Sequence, residues 1–131
     1  MAKHTAELEM KAAPDAVWEV VRDFHGLGDW MPGIDASRSE GDDRILSTMG
    51  MEVREHLVKL DDPGRAITYA ITGGAPVETH EATITVHDAP AGSGTGSRVT
   101  WDVDATPDDM AGLMQGVYQQ SLEALKTHVS G

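Results

Sequence analysis

Residues 106–128 read TPDDMAGLMQGVYQQSLEALKTH, and the fold turns on this stretch. Thr106 supplies an N-cap hydroxyl, Pro107 suits the first helical position, and Asp108 and Asp109 face the positive end of a helix dipole. The pattern predicts a helix running from there to about His128. Met110, Leu113, Met114, Val117, Leu122 and Leu125 make a broad apolar stripe along it, interrupted by Ser121. A stripe that wide covers one face of a sheet, so the rest of the chain must supply the sheet.

It does so in short pieces. From His4 to Lys11, Ala6, Leu8 and Met10 alternate with polar residues, the period of a half-buried strand. Pro14 and Asp15 then open a helix in which Val17, Val20, Val21 and Phe24 recur on one face, and Gly26 is expected to end it. Between Ile34 and Ala105, turn signals such as Asp61-Asp62-Pro63-Gly64 and Gly73-Gly74-Ala75-Pro76 separate six strands near 34–40, 44–49, 52–60, 65–72, 79–87 and 97–105. Connections this short make an antiparallel meander. The small residues of DAPAGSGTGSR, 88–98, suit a flexible hairpin tip. The whole, residues 1–131, reads as one α+β domain: a seven-stranded curved antiparallel sheet wrapped around the C-terminal helix, with two short helices after the first strand. A strongly curved sheet leaves a hollow between itself and the first half of that helix.

One segment fits neither helix nor strand. Residues 23–34, DFHGLGDWMPGI, place Phe24, Trp30 and Met31 among three glycines and a proline. The expectation is that Phe24 completes the inner face of the first helix and that Trp30-Met31-Pro32 forms a lid at the hollow's entrance, with Trp30, Met31 or both on its wall.

Composition narrows the chemistry. With no cysteine, thiolate nucleophiles, disulfides and thiolate-ligated metals are excluded. A formal charge of -12 argues against a nucleic-acid or anionic-membrane partner. No apolar run approaches the ~20 residues of a membrane span, and the first residues lack the apolar core of a signal peptide, so a cytoplasmic location is expected. The six histidines show no H-x-H or H-x-x-x-H spacing, and no metal or cofactor is expected. Gly92-Ser93-Gly94-Thr95-Gly96 lacks the Gly-Lys-Ser/Thr ending of a phosphate loop.

Ala13-Pro14-Asp15-Ala16-Val17-Trp18 with Phe24, Gly28-Asp29-Trp30-Met31-Pro32, Val53-Arg54-Glu55, Leu60-Asp61-Asp62, Gly96-Ser97-Arg98-Val99-Thr100-Trp101 and the Tyr118–Leu125 helix together resemble the bacterial polyketide cyclase/dehydrase group of the START-like (SRPBCC) superfamily. Plant pathogenesis-related allergens and abscisic-acid receptors are distant members with the same helix-grip fold. The resemblance spans essentially the whole chain. It implies a deep apolar cavity for a small hydrophobic or aromatic, polyketide- or lipid-like molecule, and it carries no catalytic signature.

On that resemblance Glu55 falls where members often put a polar group inside the cavity. Tyr69, Ile71, His80 and Ala82 fall on inward strand positions, and Leu113, Val117 and Ser121 face the cavity from the helix. The residues themselves agree in part: Val53, Glu55 and Leu57 share a strand face, and Ile67, Tyr69 and Ile71 form a second apolar row. The opposite phase of the 52–60 strand turns Arg54, His56 and Val58 inward instead. An inward Glu55 suits a general acid or base, and His80 is either its proton-sharing partner or a histidine that only donates a hydrogen bond. Met31, Met49, Met51, Met110 and Met114 gather near the expected mouth, as adaptable ligand contacts or as core filler. Trp101 and Met114 complete the candidate wall, while Trp18 reads as packing for the first helix.

The expected function is binding or carriage of that small molecule by a monomer or homodimer. The alternative is a cyclase or dehydratase of secondary metabolism that moves protons with Glu55, His80 or Tyr69. A third reading, an interaction module with a vestigial cavity, requires the interior to be filled by Trp30, Tyr69, Trp101 and the methionines.

Overall fold

The computed structural model describes residues 2–130. Strand β1 (Ala2–Met10) is followed by helix α1 (Pro14–Val21) and a 3₁₀ helix (Phe24–Asp29). Then come β2 (Ile34–Glu40), β3 (Asp43–Thr48), β4 (Met51–Asp61), β5 (Ala66–Gly73), β6 (Thr79–Asp88), β7 (Ser97–Thr106) and helix α2 (Asp108–Ser130). The seven strands form one antiparallel sheet in the order β1-β7-β6-β5-β4-β3-β2. The meander accounts for every neighbour except the β1–β7 pair, which joins the chain's ends with Ala6 opposite Trp101.

α2 packs on β1 and β7. Leu122 and Leu125 of its second half are fully buried there, each contributing about 1.5–3 kcal/mol by leaving water. The helix is fastened to the edge strand by two glutamines. Gln119 donates to the Glu7 carbonyl at 2.9 Å and accepts from the Glu7 N–H at 3.2 Å, and Gln115 donates to the Thr5 carbonyl at 2.8 Å. These bonds satisfy backbone groups that an edge strand leaves open.

The sheet bends away from the first half of α2. β4, the longest strand, carries register shifts at Arg54/Glu55 and at Leu57/Lys59, and such bulges bend a strand and increase its twist. β5 and β6 pair only from Ala66↔Thr85 to Tyr69↔Ala82 and then separate. At the split, the Ile71 N–H is taken by Nδ1 of His80 at 3.1 Å. The His80 side chain thus replaces a missing rung of the ladder.

Two helix boundaries differ from the sequence reading. α1 ends at Val21, where Asp23 N–H turns to the Val20 carbonyl at 3.3 Å, an i−3 bond that tightens the chain. Phe24 opens the separate 3₁₀ helix, although it remains buried. Thr106 does not cap α2. It ends β7, its hydroxyl is bonded to that of Thr79 at 2.7 Å, and the Pro107 carbonyl accepts the first helical N–H groups, from Met110 at 3.1 Å and Ala111 at 3.3 Å. Trp18 packs as expected: it is buried in α1, and its indole N–H donates to Asp62 at 2.9 Å, a carboxylate that Arg22 also grips. No helix among the described residues is long and apolar enough to cross a membrane.

Candidate functional site

Where sheet and helix part, a cavity of about 190 Å³ opens. Its sheet side is built by Leu46 and Thr48 of β3, Met51, Val53 and Glu55 of β4, and Tyr69 and Ile71 of β5. The first half of α2 closes the opposite side with Met110, Leu113, Met114, Val117 and Tyr118. Leu27, Met31, Pro32 and Ile34, from the 3₁₀ helix and the segment after it, close one end, and Ala75 and Pro76 stand at the mouth. The wall is almost wholly apolar. Met49, 72% exposed, and Leu113, 59% exposed, leave an apolar rim.

The β3–β4 turn positions a buried charged pair beside the cavity. Met49 (φ 51°) and Gly50 (φ 75°) both adopt the left-handed region, as a two-residue type I′ hairpin demands. A turn at 49–50 places Arg44 opposite Glu55. Both side chains are buried, and Arg44 Nε donates to Glu55 Oε1 at 2.7 Å. The guanidinium also donates to the Phe24 carbonyl at 2.7 Å and lies 4.0 Å from the Phe24 ring centroid and 4.8 Å from that of Tyr69. Such planar, stacked contacts suit arginine and not lysine.

Two phenols flank this pair. Tyr69 accepts the Trp101 indole N–H at 3.1 Å, and Tyr118 lies flat on the Trp101 ring, with centroids 4.1 Å apart and planes inclined by 4°. Burial raises the pKa of both hydroxyls, and the nearby Glu55 charge adds to it, so both remain neutral hydrogen-bond donors at physiological pH. Behind Tyr118 stands His80. Its Nδ1 accepts the Ile71 N–H, which fixes the ring hydrogen on Nε2, 3.1 Å from the Tyr118 hydroxyl. Burial lowers its pKa from 6.5 to about 4, so it is neutral at physiological pH.

Of the residues expected on the wall, Met31, Met51, Glu55, Tyr69, Ile71, Leu113, Met114 and Val117 are brought together there, as are Met49 and Met110 at the rim. Glu55 takes the inward phase, buried beside Arg44, while Arg54 turns to Asp43 and Glu40. Five expectations are corrected. Trp30 is buried behind the wall, 6.0 Å from the Trp101 ring, so of the supposed lid pair only Met31 meets the cavity. Trp101 and Ala82 lie in the core, where large and small neighbours fill the sheet's inner face. Ser121 bonds back to the Val117 carbonyl at 2.8 Å, the usual resort of a helical serine without another partner. His80 reaches the wall through Tyr118, and among the described residues no hydrogen bond joins it to Glu55, so the two do not form a direct proton-sharing pair.

Arg44 and Tyr118 were missed. Arg44 was findable by arithmetic, since a hairpin turning at Met49-Gly50 pairs residues whose numbers sum to those of Thr48 and Met51. Tyr118 follows Met114 by four positions, on the same helical face.

The family model for polyketide cyclase / dehydrase and lipid transport proteins matches residues 1–130. The chain belongs to that family. Among solved structures, this family member is similar to the protein XoxI from Bacillus cereus, with 31% identity, a TM-score of 0.89, and 98% of this chain and 96% of that chain covered. It is equally similar to an uncharacterized protein from Bacillus thuringiensis: 31% identity, TM-score 0.87, 99% and 100% covered. A START superfamily protein from Mycobacterium smegmatis shares the fold at 17% identity, with a TM-score of 0.75 and 99% and 98% covered. No curated protein matches the chain. The START-like helix-grip fold and the polyketide cyclase/dehydrase-type family are therefore both shown.

Proposed function

We propose that this protein binds or carries a small hydrophobic, ring-containing molecule in its internal cavity. The observation that carries this reading is the cavity itself, about 190 Å³ with almost wholly apolar walls. An apolar void of roughly 150 Å³ takes up benzene, whereas drug-sized pockets measure roughly 300–1,000 Å³. The size therefore favours one substituted ring, with any longer chain leaving through the methionine-lined mouth, over a folded multi-ring polyketide. Methionine thioethers adapt to irregular apolar shapes, which suits a carrier.

Native mass spectrometry of the purified protein checks this: an apolar molecule should co-purify. Val117→Phe, which fills the cavity from α2, should abolish that adduct and leave the fold intact. An adduct of equal occupancy in Val117→Phe would sink the proposal.

A second reading, acid–base catalysis on the same ligand class, is favoured by one observation: Glu55, Tyr69 and Tyr118 all stand on the wall. Two neutral phenols can steady a developing oxyanion while a carboxylate takes a proton. A bound cyclic ketone such as 2-tetralone should then exchange its α-hydrogens in D₂O faster than in buffer, and Glu55→Gln should remove the acceleration. Exchange no faster than in buffer would leave the carrier reading alone.

A further inference from the structure

We infer that the ligand carries a hydroxyl group at its inner end, held between the Glu55 carboxylate and the phenols of Tyr69 and Tyr118. This rests on reading the cavity as a ligand site, and it follows from counting hydrogens. The Trp101 indole N–H can only donate, and it is given to Tyr69. His80 must carry its hydrogen on Nε2, because Nδ1 accepts from a backbone N–H, and that hydrogen goes to Tyr118. Each phenol oxygen thus receives a hydrogen and retains its own to give. If one phenol gives its hydrogen to the other, the second still has one to place. Among the described residues, the other side chains that hydrogen-bond at this end, Arg44, Trp101 and His80, act as donors. The carboxylate on this wall is Glu55, and it accepts from Arg44 on Oε1. Among the described residues no hydrogen bond joins Glu55 to either phenol.

The site therefore offers a hydrogen from a phenol and asks for one at Glu55. An ether or ketone oxygen answers only the first demand. A ligand carboxylate adds a second negative charge beside Glu55, whose guanidinium partner is already engaged by Glu55 and the Phe24 carbonyl. An alcohol or phenol answers both at once. Burial and the Glu55 charge keep Tyr69 and Tyr118 protonated, so the donors persist across the physiological pH range.

Isothermal titration with para-propylphenol, para-propylanisole and para-propylbenzoate tests this on the unaltered protein. The phenol should bind about ten-fold or more tighter than the other two, the usual worth of a hydrogen bond to a charged group. Equal affinity for phenol and anisole would overturn the hydroxyl inference while leaving the cavity reading intact. Tightest binding of the benzoate would overturn it in favour of anion capture by Arg44. Binding of none of the three would overturn the cavity reading itself. Tyr118→Phe keeps the ring and removes one donor, which phenol and anisole both use, so each should bind severalfold more weakly; unchanged affinities would remove Tyr118 from the site.

Discussion

Arg44 and Glu55 sit together in an interior that is otherwise almost entirely apolar, and their energetics are those of a mutually dependent pair. Each buried charge is tolerable only because the other is 2.7 Å away. Arg44→Met or Glu55→Leu alone should therefore cost about 3–5 kcal/mol, and the double variant much less than the sum, as a urea-denaturation cycle would measure. Additive losses would mean the pair is not coupled. His80 gives a second prediction, through pH. Its folded value, about 4, lies below its ordinary 6.5, so the unfolded chain takes up the proton first as pH falls. The neutral imidazole costs nothing above about pH 6.5, and stability is lost as pH drops toward 4. Between about pH 7 and about pH 5 the loss from this group should be about 2 kcal/mol, absent in His80→Gln, whose amide oxygen can still accept the Ile71 N–H. Equal slopes in the two proteins would exclude His80 as the cause. At this scale the sequence was legible where alternation applies, as at Glu55 and Tyr69. At His80 it left two readings open, and the histidine that donates a hydrogen bond is the one found; its place in the ladder escaped, because the separation of β5 from β6 is a tertiary event without a local signal.

Among the elements, the loop after β5 sets the mouth, and its tolerance is narrow. Gly74 has φ 88°, and a Cβ there would collide with the backbone of Glu52 on the neighbouring strand. Gly74→Ala should thus destabilise the protein by at least about 2 kcal/mol, combining backbone strain with a clash that no rotamer relieves. Thermal unfolding would show it, with Gly92→Ala, which shares the positive φ but meets nothing within 4 Å, as the milder control. Equal losses in the two would show that close approach to β4 is unimportant. The elements themselves were largely readable: six strands between turn signals and one apolar-striped helix. What escaped was where helices begin and end. Thr106 resembles an N-cap, yet the strand pair Thr79↔Thr106 claims its hydroxyl, and glycines at 26 and 28 allow a 3₁₀ turn that periodicity cannot separate from α1.

For the molecule as a whole, wide curvature is what converts a sheet-and-helix sandwich into a container. The half of α2 that rests on β1 and β7 carries the stability, and the half that faces β3 to β5 leaves room. The apolar stripe announced the helix but could not announce that only its second half would be fully covered, since that depends on bulges within β4. A container of this kind gains stability from its contents by mass action. At a ligand concentration of about one hundred times Kd, the folded state should gain about 2.7 kcal/mol, which for a domain of this size raises Tm by roughly 10 °C. Because the favoured ligand is neutral, the net charge of -12 should neither help nor hinder its entry. The shift should therefore be the same from about 0.05 M to about 0.5 M salt, a range over which charge-driven binding weakens strongly. A shift that collapses at high salt would point to an ionic ligand at the rim, and one that persists in Val117→Phe would place the binding outside the cavity.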